Sequence, residues 1–435
     1  MKIVSYKNKN FESQLEKLYN RQAVPLHVEN EVKKILEDVK ENGNSAIKKY
    51  ALKFDNCKFA RSSEFLVREE EILESEKLIS GQCKKSIKKA LENITVFAEN
   101  RIPQPWTYSP RPGVITGERF EPLERVGVYI PGGTAPLVST VIHTAGIAKA
   151  AGVREIVAVT PPGKDGKIHP AVLFAMKEAG VTELYKIGGV YAIGALAYGT
   201  KTIRKVEKIV GPGNAYVTAA KKLVFGEVAI DMIAGPSEIM IIADSKAEPA
   251  FIAADMLSQA EHGSGLEQAV LVTDSIDLIE NVTKELESQA VSLSRNAMVK
   301  KVLSDGVFFI HVSDMSEAPE IASRYAPEHL EIMCEHPGNT AKKVRAAGAI
   351  FIGQWTPEPV GDFVAGPSHV LPTGGSSKYF SGLTVESFFR RMSIINYQKA
   401  ALQSELANIL CFAEMEGLDA HGRSASIRIK GKPKS

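Results

Sequence analysis

The chain is poor in cysteine: it has four among 435 residues, Cys57, Cys83, Cys334 and Cys411, with no CxxC or CxH pair. That spacing excludes a thiolate zinc site, and no glycine-rich elbow or basic neighbour pattern marks any of the four as a nucleophile. They read as reduced, structural thiols. Net charge is equally scarce, because 53 lysines and arginines nearly cancel 51 acidic residues. Such a chain has no global field to attract nucleic acid or an anionic membrane, so neither is expected as a partner. Long apolar runs are also missing: no stretch approaches a membrane span, and Met1–Asn10 lacks the apolar centre of a signal peptide. The expectation is a cytoplasmic protein that acts on a small molecule.

The length suggests about two to three domains. Asn30–Tyr50 and Glu70–Asn100 carry apolar residues at three- and four-residue spacing among Lys and Glu, which predicts helices. A proline-rich passage, Arg101–Pro112, breaks that pattern. Strand and helix then alternate: Val126–Ile130, helix Val138–Ala150, Glu155–Val159, helix Ala171–Ala179, Leu184–Ile187, helix Ala192–Tyr198, Val206–Val210 and a helix from Asn214. After Gly235-Pro236-Ser237 the rhythm restarts with Ile239–Ala243, helix Ala250–Ala260, Ala269–Thr273, helix Ile276–Ala290, Val307–Val312 and Ala349–Ile352. Two parallel α/β sheets covered by helices are expected, followed by glycine-rich loops and a mostly helical tail from Val385.

Parallel sheets bind phosphates where strand ends meet helix N-termini. Val126–Ile130 before Pro131-Gly132-Gly133 is one such turn, and Val206–Val210 before Gly211-Pro212-Gly213-Asn214 is another, with Asn214 also placed to cap its helix. Neither spells GxGxxG, so tight turns without a nucleotide explain these glycines equally well.

Gln259 and His262 lie three apart at the end of a predicted helix stopped by Gly263-Ser264-Gly265, so they share a face. A helix C-terminus favours a cation, although a histidine there is more often a cap than a ligand. Asp362, His369 and His421, on later loops, are further nitrogen and oxygen candidates, a set that suits Zn²⁺, Mn²⁺ or Co²⁺. Glu328 and His329, behind Pro327, place a carboxylate beside an imidazole, and Pro327 predicts a short helical turn there. Alone, this pair reads as a surface Glu-His pair.

Taken together, the segments 126–133, 208–214, 231–238, 258–262, 326–331, 361–373 and 414–421 resemble, in order, the histidinol dehydrogenases. The resemblance implies an aldehyde-dehydrogenase-like pair of Rossmann-like sheets with helical extensions. The implied domains are an N-terminal helical arm over 1–25, a first α/β domain from 26–125 and 238–380 with the zinc and acid–base residues, a nucleotide-binding α/β domain over 126–237, and a helical tail over 381–435. It also implies oxidation of L-histidinol to L-histidine through the aldehyde, with two molecules of NAD reduced in succession. The implied zinc ligands are Gln259, His262, Asp362 and His421. His329 falls on the general base and Glu328 on the carboxylate that activates water. Ser237, His369 and Glu416 fall on substrate-holding positions, as do the zinc ligands and His329, and Tyr129 and Asn214 fall on NAD contacts. The implied assembly is a homodimer whose tail carries His421 and Glu416 into the partner's site.

One turn departs from the family. Where its members commonly read Gly-Gly-Ala-Gln-Ala-Ile against NAD, this chain reads Gly188-Gly189-Val190-Tyr191-Ala192-Ile193. Tyr191 has a hydroxyl but not the amide's paired donor and acceptor, so the NAD contact there is expected to differ. Two other readings of the motifs are a zinc and NAD dehydrogenase of another polar alcohol and a zinc hydrolase using Glu328 without a nucleotide. A third is a non-catalytic binding protein.

Overall fold

The computed structural model describes residues 1–21, 26–132, 136–262 and 264–430. Gly133, Gly263 and residues 22–25 of the expected arm lie outside the described residues. Strand Glu238–Ala243 reads Glu-Ile-Met-Ile-Ile-Ala and is buried along its whole length, the pattern of a strand covered on both faces. Its side chains alternate accordingly. Ile239, Ile241 and Ala243 enter one apolar cluster with Ile252, Met256 and Leu271, and Met240 and Ile242 enter another with Val270, Ile310 and Leu330. Truncating one such isoleucine to alanine costs roughly 2–5 kcal/mol.

This strand is central in a six-stranded sheet with the spatial order Lys2–Ser5, Val307–His311, Gln268–Thr273, Glu238–Ala243, His329–Met333, Ala349–Ile352. Every pairing in it is parallel. A second, five-stranded sheet is also parallel throughout, in the order Glu183–Tyr185, Glu155–Val159, Arg125–Tyr129, Lys208–Val210, Ala229–Ile230. The expected pair of parallel α/β sheets is therefore present.

The chain forms two compact units, Met1–Arg101 with Leu123–Ser387, and Ile102–Pro122 with Phe388–Ser435. Both parallel sheets belong to the first. The second contains an antiparallel sheet in the order Phe389–Tyr397, Val114–Pro122, Trp106–Tyr108, and the helices Lys399–Met415 and Asp419–Lys430.

Four elements differ from expectation. The arm expected to be helical begins with strand Lys2–Ser5 and continues as helix Phe11–Tyr19. The tail contains the nine-residue strand Phe389–Tyr397 before its helices. Pro327 starts no helical turn: Ala326 adopts a left-handed φ of 53°, and strand His329–Met333 follows directly. The predicted helix Val138–Ala150 is present, but its centre, Ile142–Gly146, is a π-helical turn.

Candidate active site

In a parallel α/β unit the helix runs back against its strand, so helix C-termini gather at the strands' amino ends. Glu238 and His329 each open a strand of the six-stranded sheet, and Gln259 is near the C-terminus of the returning helix Pro249–Ala260. The acid–base candidates thus stand at the amino edge of this sheet, where helix C-terminal carbonyls favour a cation.

The backbone of Glu238 holds both members of the pair. Its N–H donates to Glu328 Oε2 at 3.0 Å, and its carbonyl oxygen lies 3.2 Å from His329 Nδ1. Gln259 Oε1 is also 3.2 Å from that nitrogen. Both neighbours of Nδ1 are acceptors, so in the neutral imidazole Nδ1 carries the hydrogen and the lone pair lies on Nε2. Among the described residues, the buried Nε2 has no hydrogen-bond partner. Gly348 lets the next strand approach, since a Cβ there would meet the Glu328 carbonyl oxygen at 2.5 Å.

Glu238 is itself anchored. Its side chain pairs with Arg21 Nε at 3.1 Å and accepts the Gly374 N–H at 3.1 Å, and the Arg21 guanidinium stacks on Tyr325 at 3.5 Å. Burial pushes the Glu328 carboxyl up to about 8, against the pull of His329. Burial disfavours the His329 imidazolium, but the carboxylates of Glu328 and Asp362 outweigh it and raise the group to about 10. Burial likewise opposes ionisation of Asp362, yet the adjacent His329 and His369 hold its carboxyl well below the usual carboxylate range.

Of the expected metal residues, Gln259 and His262 contact each other, whereas Asp362 lies against His329 and His369. Gln259 Nε2 is 3.3 Å from His262 Nδ1, and Asp362 Oδ1 is 3.6 Å from His329 Nε2 and 4.0 Å from His369 Nδ1. Asp362 is on the short helix Glu358–Phe363, which also supplies the buried Glu358. His329, Glu358 and Asp362 place potential ligand atoms within 4.8 Å of one another. An anionic Asp362 and the nitrogen and oxygen donors of Gln259 and His262 are of the kind that fits a borderline cation such as Zn²⁺. His421 and Glu416 belong to the second unit, where both are exposed. Ser237 is half-buried at the entry to strand Glu238–Ala243.

Two participants carried no motif of their own. Glu358 accepts the Ser258 hydroxyl hydrogen at 3.0 Å. His143, in the π-helical turn, stacks on His369 with ring centroids 4.3 Å apart. In the sequence His143 is one histidine in an apolar helix; only the π-helical turn, which recurs at functional sites, sets it apart.

At the five-stranded sheet, strand Arg125–Tyr129 is followed in chain order by two strands on one side and two on the other, so its carboxyl end is a topological switch point. Tyr129 lies there, buried, with its hydroxyl accepting the Gly189 N–H at 3.1 Å. Tyr191 is 1% exposed; its hydroxyl accepts the Gly188 N–H at 3.2 Å and donates to Asp55. Asn214 is exposed, and its side chain caps the following helix by accepting from the Tyr216 and Val217 amides at 3.0 and 3.1 Å.

The histidinol dehydrogenase family model matches residues 19–429. The histidinol dehydrogenase of Carboxydothermus hydrogenoformans is 43% identical over 423 residues, covering 97% of this chain and 99% of that protein. The Bacillus subtilis one is 45% identical over 397 residues, covering 91% and 92%. The crystal structure of histidinol dehydrogenase from Elizabethkingia anophelis superposes with a TM-score of 0.92 at 35% identity, covering 99% of this chain and 98% of that one. A match that spans both parallel sheets, the acid–base pair and the tail makes this chain a member of the histidinol dehydrogenase family.

Proposed function

We propose that the protein oxidises L-histidinol to L-histidine by way of L-histidinal, reducing NAD at each stage, in the last two steps of histidine biosynthesis. The single observation that carries this reading is the free Nε2 of His329, set beside Glu328 and Asp362 at one sheet edge in a chain of this family.

His329 is the base. With Nδ1 engaged by Glu238 and Gln259, Nε2 takes the substrate's hydroxyl proton as hydride leaves the carbinol carbon. Glu328, held by the Glu238 amide, then draws a proton from the water that adds to the aldehyde while the His329 imidazolium returns its proton to the carbonyl oxygen, and the neutral His329 takes a proton from the resulting gem-diol in the second oxidation. Gln259, His262 and Asp362, with His421 from a second copy, would hold Zn²⁺. When bound, that ion supplies a fixed charge that orients the substrate through its amino and imidazole nitrogens. Ser237, His369 and Glu416 would hold the rest of the substrate.

NAD would sit at the carboxyl edge of the five-stranded sheet and accept hydride from there, against Tyr129, Asn214 and the Gly188–Gly189 turn that Tyr191 closes. The Gly188 and Gly189 amides at the start of one adjacent helix are taken by Tyr191 and Tyr129, and the Tyr216 and Val217 amides of the other by Asn214. We therefore assign Tyr191 a role in shaping that turn. The nucleotide-binding part in this proposal is the segment 126–237 read from the sequence.

A homodimer with shared sites fits the second unit, whose Ile395, Phe412 and Met415 are exposed to 72, 61 and 67%. Apolar surface of that kind marks an interface. Among the described residues no helix is long and apolar enough to cross a membrane.

The test is metal analysis of the purified protein together with NADH formation from L-histidinol. His329→Asn should collapse turnover while zinc remains bound, and near-normal turnover would sink the assignment. NAD-independent hydrolysis would favour the zinc hydrolase reading instead.

A further inference from the structure

We infer that His143 is a positioning residue for the substrate-holding His369, an inference that rests on the function proposed above. Three contacts tie the two segments together. The imidazole rings lie nearly parallel, with centroids 4.3 Å apart and planes 14° from each other. His143 Nδ1 accepts the backbone N–H of His369 at 3.2 Å. The Ser368 hydroxyl donates to the His143 carbonyl oxygen at 3.1 Å.

The second of these contacts fixes the chemistry of the ring. An imidazole nitrogen that accepts an amide hydrogen has no proton of its own, so His143 acts here as a neutral acceptor. Neutrality also suits the stacking, because two imidazolium rings face to face would repel. Burial, and the charge His369 carries when protonated, press His143 the same way, well below the ordinary histidine value.

The location explains why such a brace is useful. His369 follows Gly366, whose φ of +109° is a conformation that favours glycine, so it stands on a loop with no regular backbone ladder. His369 Nδ1 is 4.0 Å from Asp362 Oδ1, and a swing of its ring would move a substrate contact relative to the proposed metal residues. The ring that braces it comes from the π-helical turn Ile142–Gly146, where the extra residue in the turn reorients the side chains. His143 is 1% exposed, which leaves its ring little freedom to give way.

The inference separates the ring's two duties. His143→Ala removes both the stack and the acceptor. His143→Asn returns an acceptor oxygen near the Nδ1 position without the ring, and His143→Phe returns a flat ring without the acceptor.

The experiment uses the zinc-loaded enzyme, with calorimetric titration of L-histidinol and steady-state kinetics in both substrates. In His143→Ala, the Kd and KM for histidinol should rise about fivefold to tenfold, the equivalent of one hydrogen bond and a ring contact. The KM for NAD and the zinc content should stay within about twofold of wild type, a margin below one hydrogen bond. His143→Asn should recover part of the histidinol affinity.

Unchanged histidinol affinity in folded His143→Ala overturns the inference and leaves the proposed function standing. Parallel losses of histidinol affinity, NAD affinity and zinc in all three variants would show a general structural role and overturn it as well. A wild-type enzyme that fails to bind histidinol overturns the proposed function and this inference together.

Discussion

His329 Nδ1 lies 3.2 Å from the carbonyl oxygen of Glu238, and the amide of the same Glu238 donates to Glu328. One residue at a strand start therefore sets the neutral tautomer of the proposed base and the aim of the carboxylate beside it. The pair stands at the start of a sheet strand, and its separation from Glu238 depends on strand register.

The pH dependence of the second oxidation follows from Glu328. Burial pushes its carboxyl up to about 8, so below that pH it is mostly protonated and cannot draw a proton from water. Aldehyde oxidation should accelerate as pH rises through about 8 and go on rising toward about 10, where the His329 imidazolium becomes the neutral base. Glu328→Gln should slow this step by roughly 10²–10⁴-fold and remove the part of its pH dependence near 8, while slowing alcohol oxidation less. Rapid-mixing measurement of NADH formation from histidinal over the pH range checks this; a profile that falls with pH would contradict the role.

Arg21 supports the pair from behind. Its side chain and that of Glu238 are 7 and 4% exposed, with Nε 3.1 Å from the carboxylate. Removing one partner of a buried ion pair costs about 3–5 kcal/mol because a charge is left unpaired. Arg21→Met should lower the melting temperature markedly, and Glu238 should take up a proton, since burial already raises it to about 7 with Arg21 opposing. Arg21→Met combined with Glu238→Gln should recover much of the loss. Denaturant unfolding of the two variants decides the matter.

The middle of strand His329–Met333 carries a second buried acid. Glu331 is 1% exposed, accepts the Glu358 N–H at 2.6 Å, and has its pKa raised well above 4.5, first by burial and then by Asp255. The folded protein therefore keeps a proton on this group that the unfolded chain releases above about 4.5. Its stabilising contribution is present at low pH and declines as pH rises from about 4.5 toward the raised folded value. Glu331→Gln needs no such proton, so its melting temperature should fall less than that of wild type between pH 6 and 9. Equal slopes would show that Glu331 is ionised in the native state.

What the sequence revealed follows from burial. Strands such as Ile239–Ala243 and Ala269–Thr273 read as continuous apolar runs because both faces are covered, and helix Ile276–Ala290 shows a 3.6-residue period against the sheet. Strand Phe389–Tyr397 escaped notice because nearly all of it is exposed, Arg390 and Arg391 included, so no alternation marks it. Lys2–Ser5 is a short edge strand with one buried residue, Val4. The turn expected at Pro327 failed because pairing with Glu238–Ala243 overrides local preference. In the candidate site, Gln259, Glu328, His329 and Asp362 stood in recognisable motifs. Glu358 and His143 did not, since a buried polar side chain acquires its role from neighbours distant in sequence: Glu331 and Asp362 for one, His369 for the other.

The proposed sharing of sites between subunits has a sharp test in subunit mixing. His329→Asn damages the first unit of its own chain but leaves a good His421; His421→Ala does the reverse. Each homodimer should be nearly inactive. In an equal mixture allowed to exchange subunits, half of the dimers are mixed, and each mixed dimer has one site built from an intact first unit and an intact tail. About one quarter of all sites are then whole, so activity should return to about 25% of wild type. If His421 instead served its own subunit's site, the mixed dimer would contain no intact site and activity would not return, which makes recovery on mixing a direct readout of exchange between partners.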